Sequence, residues 1–173
     1  MEPGPGPARR PRDDLVLLFT GEGWGKTAAA VGYAVRARGA GWPATVVQFL
    51  KGGGWNAAEI AMADRLGVGW PVLTRGLTWA HDPEQLCARA WAAAVAALAG
   101  RGPALVVLDE ITHAIDNGWL DAAEVARAVS DRAPGVSAVL TGRNTHPEVV
   151  DIADTVTRFE LVKHDGKRGI LAP

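Results

Sequence analysis

The sequence predicts a three-layer α/β domain, with a mainly parallel β-sheet covered by helices on both faces. Three observations carry that reading. Short, almost wholly apolar runs, such as LVLLFT at 15–20 and ALVVLDE at 104–110, suit strands buried on both faces. They alternate with stretches of helical spacing, the order from which parallel sheets are built. The most distinctive polar residues fall just after those strands, where such sheets bind ligands.

In chain order, LVLLFT is the first strand, and a Gly-rich turn leads from it into the helix TAAAVGYAVRARG, which ends near Gly39. ATVVQFL at 44–50 is the second strand, followed by the loop KGGGWN and a helix, AAEIAMADRL, that closes at Gly67. WPVL at 70–73 is expected as a short strand, although Pro71 argues against a central one. Asp82 and Pro83 start the next helix, Asp as an N-cap and Pro where its missing N–H costs nothing. Leu86, Ala90, Trp91, Ala94, Val95 and Leu98 then recur at helical spacing until a stop at 100–103. ALVVLDE is the third clear strand. DAAEVARAVSDRA follows as a helix, VSAVLTG as a strand, PEVVDIA as a short helix and TVTRFELV as a last strand.

One domain is expected over 14–173, behind a flexible tail at 1–13. The opening MEPGPGPARRPRDD holds four Pro and two Gly and has no apolar stretch of secretory-signal length. No run approaches 18 apolar residues, so the expectation is a cytoplasmic protein that does not enter the membrane. Eighteen Lys plus Arg against nineteen Asp plus Glu leave a formal charge of −1. That balance excludes coating of nucleic acid by bulk positive charge, though not a local basic pocket. The single cysteine, Cys87, excludes an internal disulfide framework and a Cys-rich zinc module.

Three segments carry chemistry. TGEGWGKT at 20–27 fits the phosphate-loop pattern at Gly25, Lys26 and Thr27, with Thr20 in the first Gly position. Its position between a strand and a helix is what such a loop requires. Backbone N–H groups and a helix N-terminus would surround phosphate oxygens, Lys26 would neutralise their charge, and the Thr27 hydroxyl would ligate Mg²⁺. ALVVLDE ends in Asp109 and Glu110, the acidic strand end that partners a phosphate loop and holds Mg²⁺ directly or through water. TGRN at 141–144 follows another strand, and Arg143 there reads either as an anion contact or as a solvated loop arginine. Together these place the domain among P-loop NTPase-like folds.

Beyond those motifs, the chain resembles the P-loop corrinoid adenosyltransferases over most of its length, from Leu17 to Ile170. The resemblance rests on FTGEGWGKTAAAVGYAVRARG, VVQFLKGG, RGLTW, LVVLDEITHAIDNGWLDAAEV, VLTGRNTHPEVVDIADTV and the closing VKH. It implies transfer of the 5′-deoxyadenosyl group of ATP to the Co(I) centre of a corrinoid, cob(I)alamin or cob(I)yrinic acid a,c-diamide, with release of triphosphate. It implies an ATP loop over Thr20, Gly21, Glu22, Gly23, Trp24, Gly25, Lys26, Thr27 and Ala28, with Arg36 and Arg143 as further nucleotide contacts. Lys26, Thr27 and Glu110 become the catalytic set; Thr27, Asp109 and Glu110 become the holders of Mg²⁺, or alternatively Mn²⁺. The RGLTW segment would lie against the corrin ring, with Leu77 and Trp79 as corrinoid contacts. A flavoprotein reductant and a homodimer are implied as well.

Several residues depart from that family's pattern. Trp24 stands where a Lys is usual, Ala28 where a second hydroxyl is usual, and Leu77 where a Phe is usual. The tail KHDGKRGILAP is short, although Lys167 and Arg168 retain positive charge. His81, His113, His146 and His164 are scattered and suggest no metal centre. Two other readings therefore stay open: a P-loop kinase or ATPase of another substrate, and a module that binds a corrinoid or nucleotide without turnover.

Overall fold

The computed structural model describes residues 14–49, 58–71, 73 and 80–163. Its elements are β1 (Val16–Thr20), α1 (Lys26–Gly39), β2 (Ala44–Gln48), α2 (Ala58–Leu66), α3 (Pro83–Leu98) and β3 (Ala104–Asp109). After them come α4 (Ile111–Asp116), α5 (Ala122–Ser130), β4 (Val136–Thr141), α6 (Pro147–Ile152) and β5 (Thr155–Arg158).

All five strands pair in parallel, in the order β2-β3-β4-β1-β5. Side chains alternate across each strand, so the continuous apolar runs fill two cores. On one face Val16, Leu18, Val106, Leu108, Ala138 and Leu140 pack with Ala90 and Ala94 of α3, Ile111 of α4, Val125 of α5 and Val149 of α6. On the other, Leu17, Phe19, Leu105, Val107 and Val139 meet Ala30, Ala34 and Ala37 of α1 and Ala63 of α2. Alanine at these α1 positions lets the helix axis approach the sheet closely, which fixes where its first turn sits.

The three-layer parallel fold is as the sequence predicts, with four local differences. WPVL supplies no strand among its described residues; one parallel bridge forms a residue earlier, Thr45 with Gly69, and Gly69 exchanges hydrogen bonds with the β2 backbone. Pro71 has no N–H to continue it. Asp82 precedes α3 but does not cap it with its side chain. TVTRFELV is a strand only as far as Arg158, and every β5 residue is exposed at the sheet's edge. Finally, α4 has no counterpart in the sequence pattern: it is one short helix that starts two residues past a buried strand, with no turn signal between them. Among the described residues no helix is long and apolar enough to cross a membrane.

Candidate active site

Because the strands run parallel, the carboxyl ends of β1, β4 and β3 open onto one edge, and the three motif segments meet there. The loop after β1 turns at Gly21 and Gly25, whose φ angles of 97° and 99° belong to the left-handed region. The Gly21 N–H donates to the Arg143 carbonyl at 2.9 Å, and the Gly23 N–H to the Phe159 carbonyl at 2.9 Å. These two amides therefore face the protein, not a phosphate. The amides of Lys26 and Thr27 open α1, have no intrahelical acceptor and are available to an anion.

The segment just past β5 forms a wall behind this loop. The Phe159 N–H donates to the Thr20 carbonyl at 2.7 Å, extending the β1 pairing past the end of the strand. A Cβ on Gly21 would stand 2.3 Å from the Phe159 carbonyl oxygen, and one on Gly23 would stand 2.6 Å from the Phe159 carbonyl carbon. Packing therefore requires glycine at both positions, and at Gly21 the left-handed backbone requires it as well. Gly23→Ala should cost about 1–3 kcal/mol of stability and weaken nucleotide binding, since the loop must move off this backbone. Denaturant unfolding alongside ATP titration measures both, and an unaltered ATP affinity would show that the wall does not shape the loop.

Lys26 is 8% exposed and donates to the Gly21 and Gly23 carbonyls at 2.6 and 2.7 Å. Burial pulls its ammonium below the usual lysine value of 10.5, and Arg143 acts in the same direction; Glu110, Glu22 and Asp109 oppose them. Thr20, standing in the first Gly position, uses its hydroxyl to donate to the Arg143 carbonyl at 2.8 Å and so ties β1 to the loop after β4.

Asp109 is fully buried and its carboxylate accepts three hydrogen bonds, one fewer than its lone pairs allow. Thr27 Oγ1 and Thr141 Oγ1 donate to Oδ1 at 3.0 and 2.8 Å, and Gln48 Nε2 donates to Oδ2 at 3.0 Å. The Glu110 N–H donates to Thr141 Oγ1 at 2.8 Å, while the Glu110 backbone adopts φ 60°, ψ 29°. It is the one non-glycine residue with positive φ among those described. Hydroxyl and carboxylate oxygens suit a hard cation such as Mg²⁺. Among the described residues no group of three or more His, Cys, Asp or Glu could hold a metal. A cation at Thr27, Asp109 and Glu110 would thus take much of its coordination from phosphate oxygens, which is how Mg²⁺ binds at nucleotide sites.

Arg143 Nη1 meets Glu22 Oε2 of the phosphate loop at 3.1 Å, with the two side chains 68% and 63% exposed. Such an exposed pair contributes about 0–1 kcal/mol, so an anionic ligand could separate it at little cost. The loop carrying Arg143 is pinned to α4: Asn144 Nδ2 donates to Asp116 Oδ2 at 2.9 Å, and His146 Nε2 meets Asp116 Oδ1 at 3.0 Å. Trp24 is 55% exposed and Ala28 also faces solvent. Arg36 lies apart from these groups. It sits in the last turn of α1 with its guanidinium 5.3 Å from the Tyr33 ring centre, ten residues or about 15 Å along the helix from Lys26. Leu77 and Trp79 lie outside the described residues. Cys87 is buried in α3 with its thiol pushed up to about 11 by burial, so it offers no nucleophile.

Gln48, Thr141 and the 159–160 wall were not identified from sequence as parts of the site. Gln48 and Thr141 lie in segments singled out for other residues, and only the strand order reveals what they face.

Comparison with known proteins shows the family. The family model described as ATP:corrinoid adenosyltransferase BtuR/CobO/CobP matches residues 12–173. The "Corrinoid adenosyltransferase" of Escherichia coli (strain K12) is 35% identical over 162 residues, spanning 91% of this chain and 82% of that protein. "Corrinoid adenosyltransferase CobA" of Salmonella typhimurium is 36% identical over the same shares of the two chains. The Pseudomonas aeruginosa "Corrinoid adenosyltransferase" is 37% identical over 91% of this chain and 80% of its own length. With a phosphate loop, an acidic strand end and an arginine loop at one sheet edge, and a family match over nearly the whole sequence, the chain belongs to the ATP:corrinoid adenosyltransferase family.

Proposed function

We propose that this chain transfers the 5′-deoxyadenosyl group of ATP to the Co(I) centre of a reduced corrinoid, releasing triphosphate. The observation that carries the reading is the convergence of Lys26, Thr27, Asp109, Glu110 and Arg143 at one edge of the sheet, in a member of this family. Cobalt supplies the electron pair for the new Co–C5′ bond, and the C5′–O bond breaks with its pair departing on the triphosphate. The substrate itself is the nucleophile, so the protein needs no general base. Its task is to hold ATP and stabilise charge on the leaving group.

Lys26 meets that charge from within the loop, and Arg143, once released from Glu22, meets it from outside. Thr27 and the carboxylates of Asp109 and Glu110 would hold Mg²⁺, directly or through water. When bound, the ion supplies charge neutralisation and orients the polyphosphate. Donation of the Thr27 proton to Asp109 leaves the hydroxyl lone pairs free for the ion. The corrinoid, cob(I)alamin or cob(I)yrinic acid a,c-diamide, would lie against the segment carrying Leu77 and Trp79. A flavoprotein donor of reducing equivalents, a homodimeric state and a cytoplasmic setting belong to the same proposal.

The test is anaerobic incubation with ATP, Mg²⁺ and each reduced corrinoid in turn, following the Co–C product spectrum together with triphosphate. Release of ADP without adenosylcorrinoid would instead indicate a kinase or ATPase. Tight corrinoid binding with no product under a strong reductant would indicate a non-catalytic carrier. Trp24→Lys is expected to raise the rate roughly two- to five-fold at low salt, or to leave it unchanged, because it returns one exposed positive charge to the phosphate loop. A clear fall in rate would mean that the indole itself contacts a substrate.

A further inference from the structure

The β4 strand stands between the phosphate-loop strand β1 and the acidic strand β3, so the last residue of β4 faces the groups that both neighbours present. That residue, Thr141, is fully buried. Its hydroxyl has one proton, which goes to Asp109 Oδ1 at 2.8 Å because a carboxylate can only accept. Its oxygen accepts the Glu110 N–H at 2.8 Å. The same Asp109 oxygen also receives the Thr27 hydroxyl at 3.0 Å. Gln48, from the end of β2, donates to the other carboxylate oxygen at 3.0 Å and prevents the group from rotating. Glu110 meanwhile occupies the left-handed region, which a glutamate does not adopt without restraint.

We propose that Thr141, assisted by Gln48, is the positioning residue of this site. One hydroxyl fixes Asp109 relative to Thr27 and, through the Glu110 amide, holds Glu110 in the backbone conformation that directs its side chain. Thr141 and Gln48 each act through the acidic pair, and the inference rests on the reading of that pair as the holder of Mg²⁺ on ATP.

Removing the hydroxyl without changing volume, Thr141→Val, takes one donor from Asp109 and the acceptor from Glu110. Loss of such an outer hydrogen bond typically weakens metal affinity roughly 10- to 100-fold. Binding of ATP is followed by tryptophan fluorescence without corrinoid, across a Mg²⁺ titration and separately in EDTA. The Mg²⁺ concentration that half-saturates the enhancement of ATP binding should rise by that factor in Thr141→Val, while binding in EDTA stays near wild type. Thr141→Ser, which keeps the oxygen, should restore the wild-type titration. Gln48→Leu loosens Asp109 but leaves the Glu110 amide bonded, so its shift should be smaller.

Equal losses with and without Mg²⁺, a serine variant no better than valine, or a Gln48→Leu shift as large as that of Thr141→Val would each overturn the proposal. Should Thr141→Val not fold, the comparison of Thr141→Ser and Gln48→Leu with wild type still decides it. A wild-type chain that shows this Mg²⁺-linked ATP binding but never forms adenosylcorrinoid would defeat the proposed reaction while leaving the role of Thr141 intact.

Discussion

Lys26→Met should lower the rate of adenosylcorrinoid formation roughly 100- to 1,000-fold, the usual effect of removing one preorganised charge from a developing anion. Methionine keeps the apolar length of the buried stem, so the core beneath α1 is undisturbed. The lost ammonium is the cation that the loop itself encloses, bonded to the Gly21 and Gly23 carbonyls until phosphate oxygens replace them. The larger part of the loss should appear in kcat, because the triphosphate gains charge as the C5′–O bond breaks, and a smaller part in the KM for ATP. A variant that keeps more than a tenth of the wild-type kcat would rule out Lys26 as the main stabiliser.

The same lysine gives a pH signature. Burial holds its ammonium below 10.5, so the folded loop loses this proton at lower pH than the unfolded chain does. Between those two values the unfolded state binds more protons, and the stability of the ligand-free protein rises with pH. Triphosphate prefers the charged lysine, so ATP affinity is full below the folded pKa and falls as pH rises through it. The ATP-induced increase in melting temperature should therefore shrink as pH climbs toward 10.5 in the wild type, but not in Lys26→Met. An identical decline in both proteins would assign the effect to another group.

Much of this site was legible in the sequence, for physical reasons that differ from residue to residue. The loop at 20–27 announces itself because left-handed backbone and close packing demand glycine at fixed spacings, and Lys26 and Thr27 follow from the chemistry of phosphate. Asp109 and Glu110 stand out because acidic residues end an otherwise apolar strand. The order of the strands was not legible, since no local pattern states that β4 lies between β1 and β3. Thr141 and Gln48 depend entirely on that order. The wall at Phe159 depends on a strand whose pairing continues past its regular part. Arg36 rests on the resemblance alone: it implies a nucleotide contact, and helix geometry sets the residue about 15 Å along α1 from Lys26.

Arg132→Met should destabilise the fold by about 3–5 kcal/mol, because it leaves the buried Asp14 carboxylate without its counter-charge. For a domain of this size that loss corresponds to a fall of roughly 6–20 °C in Tm. Arg132 Nη2 lies 2.5 Å from Asp14 Oδ1, and both side chains are almost fully enclosed. The guanidinium also donates to the Val136 and Val129 carbonyls at 2.6 and 2.9 Å, and Asp14 Oδ2 accepts the Gly135 N–H at 2.8 Å. One ion pair thus binds the entry of β1 to the turn between α5 and β4, fixing the β1–β4 register on which Thr141 depends. Replacing both partners, Asp14→Asn with Arg132→Met, should cost less than Arg132→Met alone, since no charge is then stranded. Asp14 precedes Thr20 by six residues, about 20 Å of strand, so ATP affinity measured well below the melting point should be nearly unchanged. Urea unfolding of the three proteins with ATP titration at low temperature measures both quantities. A single-variant loss below about 1 kcal/mol, the range of an exposed pair, would mean that this end of the sheet is held by packing alone.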